Sequence, residues 1–439
     1  MLALGLGAQS SEPLTLNKCL DLAKENNINL RQIQWQRVQA KANLTQSWAR
    51  LFPTLNISTS ASENFGLNFD PNSLTLQSSN YTSMSLGASS SLNVFDGLQR
   101  YHTIRSGSSS YKAAQLDFQQ ALDDLYLNVA DLFLQVVFAE ERLSIAQKQL
   151  ELLQAQVERT QLLYESGSLV KGEYMSMKAQ AASQETQVIT AQNALNIAKL
   201  SLAQALNIED TQPDIQRPDF GALQLPKPTA LPAAQLVYEE AVGIRPAVEA
   251  AGFRVDARRY DLATSRGAYL PNLNFNANMG TVYSELRKQN PFDPTSPPIP
   301  LGEQLRQNNA QTLSFGLSIP IFNGLSVRTQ VQQAKIGLET AKLNLENEKL
   351  QLKNTIFRAY ADAQAAYAVY RANLENAAAL EEAFTYAQER FELQAIQPVE
   401  YNDAATRLFN AKAELLIAEF DYIFKTLVLE FYRGKRYDF

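Results

Sequence analysis

Strict alternation of apolar and polar positions marks four separate segments of this chain. Leu55, Ile57, Thr59 and Ala61 point one way while Asn56, Ser58, Ser60 and Ser62 point the other. Met84, Leu86, Ala88, Leu92 and Val94 alternate with Ser83, Ser85, Gly87, Ser89, Ser91 and Asn93. Leu273, Phe275, Ala277 and Met279 alternate with Asn272, Asn274, Asn276 and Asn278, and Leu313, Phe315, Leu317, Ile319 and Ile321 with Ser314, Gly316 and Ser318. A period of two predicts strands, here over 51–63, 82–95, 270–283 and 311–322. Each run has about the 10-residue length of a tilted membrane-spanning strand, and its polar face is almost uncharged. Loop-like tips, 64–80 and 284–310, separate the strands of each pair; the second holds Pro291, Pro294, Pro297, Pro298 and Pro300.

Elsewhere the period is 3.5. Leu122, Leu125, Val129, Leu132, Val136, Ala139, Leu143, Ala146, Leu150, Leu153, Val157, Thr160 and Tyr164 follow 3,4 spacing, and the same register runs from Lys349 to Phe391. A sustained heptad predicts coiled-coil packing. No proline interrupts 98–164 or 325–394, so each predicts one helix of roughly 100 Å at 1.5 Å per residue. Shorter helices with the same spacing follow over 172–206 and 399–432.

The order is duplicated. Leu51-Phe52-Pro53-Thr54-Leu55-Asn56 resembles Tyr269-Leu270-Pro271-Asn272-Leu273-Asn274, and Phe95-Asp96-Gly97-Leu98 matches Phe322-Asn323-Gly324-Leu325. Each copy, 14–206 and 236–433, reads as short helix, two strands, long helix, turn, short helix. A Pro-rich linker or equatorial segment over 207–235 joins them, with Pro213, Pro218, Pro226, Pro228 and Pro232. Pro53, Pro271, Gly97 and Gly324 mark the helix–strand junctions.

Two readings fit residues 1–13: the remnant of a secretory signal, from the apolar 2–8, or a disordered terminus. Residues 434–439 form a C-terminal tail. Cys19 lies on an apolar helix face without the small-residue context of lipid attachment, which predicts a packed thiol.

Composition then bounds the chemistry. The 439 residues are 45% hydrophobic and 19% charged, with one histidine (His102) and one cysteine (Cys19). That excludes His/Cys metal cages, internal disulfides and a Ser-His-Asp set away from His102. No enzyme, cofactor or protein-bound metal is expected. A net charge of −6 without a Lys/Arg cluster argues against nucleic acid. No segment approaches the roughly 20 apolar residues of a membrane helix. Alternating strands supply apolar surface that hydropathy misses, yet four strands cannot close a barrel, for which about eight are needed. A membrane reading therefore demands an oligomer.

The duplicated order, the prolines at the strand starts and the Phe-Asp/Asn-Gly exits resemble the TolC-type outer-membrane efflux and secretion channels, over about 14–433. The resemblance implies a mixed α and β fold. Four strands per chain would build a trimeric 12-stranded membrane β-barrel, continued by a long α-helical coiled-coil periplasmic tunnel. It implies residence in the outer membrane of a Gram-negative bacterium, with a large periplasmic extension. The implied function is the exit duct of a tripartite efflux or type I secretion system, conducting passively and gated at the helical tip. The partners it implies are two further copies, a periplasmic adaptor (membrane fusion) protein, an inner-membrane pump and outer-membrane lipid. The cargo stays open among drug, metal and protein.

Val399-Glu400-Tyr401-Asn402-Asp403-Ala404 resembles the family's Val-Asp-x-x-Asp-Ala turn, whose acidic positions line the tunnel constriction. That role is carried to Glu400 and Asp403, with Glu173 the weaker equivalent in the first copy. Crowded carboxylates attract cations and have raised pKa values. An acidic first helical turn stabilised by the helix dipole accounts for the same residues without a pore. Phe391 and Ile396 stand where the family carries a tyrosine and an arginine, which implies a gate packed through apolar groups, with Tyr164 beside it. The turns Gly167, Ser168 and Leu169, and Gln394, Ala395 and Gln397, are the implied adaptor-docking tips; Gln394 replaces the family's turn glycine. A soluble coiled-coil scaffold with an ordinary sheet is the alternative function, and the apolar/polar strand faces weigh against it.

Overall fold

The computed structural model describes residues 13–70, 75–78, 80–216, 232–290, 293, 295–393 and 395–435. The expectations for residues 1–12, Pro218, Pro226, Pro228, Pro291, Pro294, Gln394 and 436–439 lie outside the described residues.

The elements run α1 (Leu16–Asn26), α2 (Ile28–Ala49), β1 (Thr54–Asn64), β2 (Leu67–Asp70), β3 (Thr75–Ser78), β4 (Tyr81–Phe95), α3 (Gln99–Glu165) and α4 (Lys171–Leu206). The second half gives α5 (Ala234–Val242), α6 (Pro246–Gly267), β5 (Asn272–Ser284), α7 (Leu301–Gln307), β6 (Ala310–Ser318), α8 (Ser326–Glu392) and α9 (Pro398–Tyr432). The two long helices have 67 residues each. No described helix is long and apolar enough to cross a membrane.

Several bounds differ from the sequence pattern for identifiable reasons. The predicted single helix before each strand pair is two helices. Asn27 ends α1, its N–H bonding Ala23 O, and its side chain then caps α2 by accepting from Leu30 N–H at 3.0 Å. In the second copy Pro246 opens α6 and disfavours helix in the residue before it. The first strand starts at Thr54 and not at 51, because Leu51 and Phe52 N–H groups still bond Trp48 and Ala49 in a closing helical turn. The last strand stops at Ser318 and not at 322, since Pro320 has no N–H to give a ladder. The tips read as loops contain structure of their own, the β2–β3 hairpin and α7.

Two compact units are present, and each draws on both sequence copies. One comprises Met1–Arg37, Ala114–Ala251 and Leu345–Phe439; the other comprises Val38–Ala113 and Gly252–Asn344.

The first unit is helical. Its main core packs Cys19 and Ala23 of α1 against Val129, Phe133 and Val136 of α3, Leu202 and Leu206 of α4, and Phe420 and Ile423 of α9. The heptad seam explains this. Leu122, Val129, Val136, Leu143, Ala146, Leu153 and Thr160 are buried in turn. A smaller cluster joins Val237 and Ala241 of α5 to Ile356 and Leu429. Arg245, at the α5–α6 junction, is buried against Asp123 at 3.4 Å. It also donates to the carbonyls of Phe431 and Tyr432 that close α9. Burial lowers its pKa, and the Asp123 charge opposes that shift.

The second unit carries a four-stranded antiparallel sheet in the order β1-β4-β5-β6. Its register places Ile57, Ala88, Met279 and Gln311 in one row, and Leu55, Ser90, Ala277 and Leu313 in another. One face is therefore apolar. The opposite face carries Ser, Asn and Gly, with hydroxyl pairs Ser60–Ser85 at 2.8 Å and Ser62–Ser83 at 3.1 Å across β1 and β4. The apolar face is largely uncovered: Leu55, Ile57, Leu313 and Phe315 are all more than 70% exposed.

Candidate functional site

The strand junctions are built by paired left-handed residues. Gly97 and Leu98 have φ of 66° and 64°, and Gly324 and Leu325 have 61° and 66°. This reverses the chain from strand to helix, a conformation that glycine adopts without steric cost. Asp96 then caps α3, its carboxylate accepting from Arg100 N–H at 3.2 Å and Arg100 Nε at 2.9 Å. Gly97 is additionally pressed against Gly267, whose carbonyl oxygen occupies the place a Cβ would need. Pro53 and Pro271 each stand just before the first residue of a strand, after a helix-closing turn.

The two helical turns carry the remaining candidates. Gly167 has φ of 78°, and Ser168 and Leu169 N–H groups both bond Leu163 O, closing α3. Gly167 and Ser168 are exposed and Leu169 is half-buried. In the other turn Ala395 N–H bonds Arg390 O at 2.7 Å, and Gln397 precedes Pro398 at the start of α9. Ala395 and Gln397 are exposed and Ile396 is half-buried. Gln394 lies outside the described residues.

Glu400 sits in the first turn of α9, exposed, its N–H bonding Gln397 O at 3.0 Å. One turn later Asp403 pairs with Arg407 at 2.7 Å, both side chains exposed. Glu173 holds the matching place in the first turn of α4 and is half-buried. Among the described residues no three His, Cys, Asp or Glu side chains are grouped to hold a metal ion.

Aromatic contacts join the turns. Phe391 stacks on Tyr401 with centroids 4.7 Å apart, and Arg159 of α3 lies 4.8 Å over the same Phe391 ring. Phe384 meets Tyr401 at 5.5 Å, and Tyr164 stacks on Tyr174 at 5.8 Å within the first hairpin. Buried Asn402 donates to Met177 Sδ at 3.2 Å. Further along, Gln149 links Gln184 of α4 and Asn410 of α9, each at 3.0 Å.

Sequence reasoning missed three of these participants. Arg407 was detectable, because a cation four residues after Asp403 shares its helix face. Arg159 and Asn402 left no local signal; their partners are hundreds of residues away. His102 packs edge-on to Tyr101 and stacks on Tyr260.

A four-stranded sheet with one apolar face, bracketed by long heptad helices, is the fold of outer-membrane channels. CusC, solved as a transmembrane channel, superposes with a TM-score of 0.79 at 19% identity, covering 99% of this chain and 96% of that one. The Campylobacter jejuni CmeC outer membrane channel gives 0.79 at 18% identity, covering 98% and 90%. The outer membrane efflux protein family model matches residues 19–207 and again 237–426, so the chain belongs to that family. Its place is the outer membrane. The outer membrane efflux protein BepC of Brucella suis biovar 1 (strain 1330) is 22% identical over 252 residues, 57% of this chain. The chain thus spans about half the length of that curated relative, 51%.

Proposed function

We propose that three copies of this chain form one outer-membrane duct, which passively conducts cargo delivered by an inner-membrane pump through a periplasmic adaptor. The observation that carries this reading is the sheet. Its edges, β1 and β6, have no partner among the described residues, while one face is apolar and the other hydroxyl- and amide-lined. Exposed edges and an uncovered apolar face are costly in water. Pairing β6 of one copy with β1 of the next closes a 12-stranded barrel, removes both edges and turns Ser and Asn toward a water-filled lumen.

The helices support the same assembly. Ile336, Leu343, Leu350 and Phe357 stand exposed at seven-residue spacing on α8, an unfilled coiled-coil seam for another copy. In this reading Glu400 and Asp403, with Glu173 behind them, face the narrowest part of the periplasmic end. Phe391, Ile396 and Tyr164 pack the closed gate, and Gly167, Ser168, Leu169, Gln394, Ala395 and Gln397 meet the adaptor. The sequence has no Gly-x-x-x-x-Gly-Lys-Ser/Thr motif for nucleotide, and in this reading the energy for export comes from the pump.

Cysteines introduced at Ile57 and Leu317 report the barrel: both are expected to react with lipid-soluble and not with water-soluble maleimide in native membranes. A cross-link between a β1 edge cysteine and a β6 edge cysteine is expected to give a trimer on denaturing gels. Monomer alone would overturn the assembly. Alanine at Gly167, Ser168 and Gln397 is expected to abolish adaptor-dependent export without loss of trimer.

A further inference from the structure

The connection between β5 and β6 folds back over the sheet. Gln304 of α7 is fully buried. Its Oε1 accepts from Ser284 N–H at 3.0 Å, and its Nε2 donates to the carbonyls of Ser284 and Ile299, each at 2.9 Å. Thr281 Oγ1 donates to Leu305 O at 2.7 Å, and Asn308 Nδ2 donates to Val282 O at 2.6 Å. Thr281 shares a row with Leu86 and Thr59, on the apolar face. Helix α7 therefore leans over that face, and a cleft of about 520 Å³ lies beneath it. Ile57, Leu86, Ala88 and Met279 form its floor, and Leu305 and Arg306 its wall.

We propose that this cleft binds an acyl chain of an anionic, phosphate-bearing lipid of the outer leaflet, with the Arg306 guanidinium on the phosphate. The proposal rests on the reading that the apolar face meets lipid, with the β5–β6 tip outward. Three observations carry it. The floor adjoins Leu55, Ala277 and Leu313 of the next row of the apolar face, so a chain lying there stays in largely hydrocarbon surroundings. The backbone groups of β4 and β5 at the floor are already used in the ladder, which favours a ligand needing only apolar contact there. The Arg306 side chain is 80% exposed at the rim. Its Glu303 partner stands at 3.5 Å, beyond the roughly 2.7–2.9 Å of a strong charge-assisted bond, so a phosphate can claim the guanidinium fork. Among the other charges of the connection, Arg287 donates to Asn308, Glu285 accepts from Thr82 N–H, and Asp293 accepts from Thr295. A membrane-surface cation and a buried chain together form a two-part anchor for the lipid.

The experiment reconstitutes the full-length protein in phosphatidylcholine bilayers containing a minority of phosphatidylglycerol, re-extracts it in mild detergent, and measures co-purifying lipid by mass spectrometry. Wild type is expected to retain phosphatidylglycerol stoichiometrically and enriched over its bulk fraction. Arg306→Gln is expected to lower that enrichment about fivefold, the effect of one surface cation. Ala88→Trp, whose indole fills the floor, is expected to retain neither lipid. Wild type without enrichment, or unchanged retention in both variants, would overturn the cleft. A fluorophore on Leu313→Cys, on the same face beyond the cleft, separates the two readings by its quenching with acyl-chain nitroxides. Quenching without lipid retention sinks the cleft alone, and absence of quenching sinks the lipid-facing sheet as well.

Discussion

The guanidinium of Arg159 on α3 lies 4.8 Å from the ring centroid of Phe391 on α8, whose other neighbour is Tyr401 on α9. One ring thus ties the two helical hairpins together at their tips. An aromatic pair contributes about 0.5–1.5 kcal/mol and an exposed cation–π contact about 0.5–1 kcal/mol. If this cluster holds the proposed gate, Arg159→Gln is expected to raise open probability about two- to fivefold, and Phe391→Ala about tenfold. Single-channel recording in planar bilayers checks both. Unaltered gating in Phe391→Ala would place the closing contact elsewhere.

The acidic turn gives a prediction of opposite signs. Glu400→Gln with Asp403→Asn is expected to reduce cation selectivity and block by divalent metal ions. Arg407 pairs with Asp403 at 2.7 Å and offsets part of its charge, so Arg407→Ala is expected to increase both. Reversal potentials in a salt gradient measure the selectivity. A rise that fails to appear in Arg407→Ala would remove Asp403 from the ion path.

Gly97 and Gly324 share a left-handed backbone but differ in surroundings. A Cβ at Gly97 would overlap the Gly267 carbonyl and come within 2.8 Å of Leu270 Cβ, whereas none of the described atoms lies within 4 Å at Gly324. Gly324→Ala is expected to cost about 1 kcal/mol, from backbone strain alone. Gly97→Ala is expected to cost about 3 kcal/mol or more, because backbone must move as well. Thermal unfolding of the two variants in detergent compares them directly.

Cys19 is fully buried, and burial pushes its thiol from 9.0 up to about 12. The native state therefore holds a proton that the unfolded chain releases, and by linkage stability falls as pH rises from about 9 toward 12. Cys19→Ala is expected to flatten that part of the stability–pH profile. Native protein at pH 8 is expected to resist maleimide, and denatured protein to react fully, because the thiolate is the nucleophile. Rapid labelling of the native state would contradict the packed thiol.

Much of this molecule is legible in one dimension, for a physical reason. Side chains alternate across a strand and recur every 3.5 residues along a coiled-coil seam, so local spacing already assigns Leu55, Ile57, Leu313 and Phe315 to one face. It likewise assigns Val129, Val136 and Leu143 to one core. The duplication made both patterns visible twice, and the chemistry of Gly97 and Gly324 marked the reversals. Boundaries were less legible where caps and prolines act, as at Asn27, Pro246 and Pro320.

What spacing cannot encode is which distant groups share a volume. Arg245 finds Asp123 across 122 positions of sequence, Asn402 finds Met177 across 225, and Gln304 folds a proline-rich connection back onto β5. Each depends on desolvated or hydrogen-bonded partners brought together by packing, and no period in the chain announces them. The sequence alone determined the long helices and the four sheet strands, their duplicated order and which strand face is apolar, because those follow from local geometry. Tertiary structure alone decided how the tips are tied, where charge is offset and which part of the apolar face is roofed by α7, because these follow from meetings between elements.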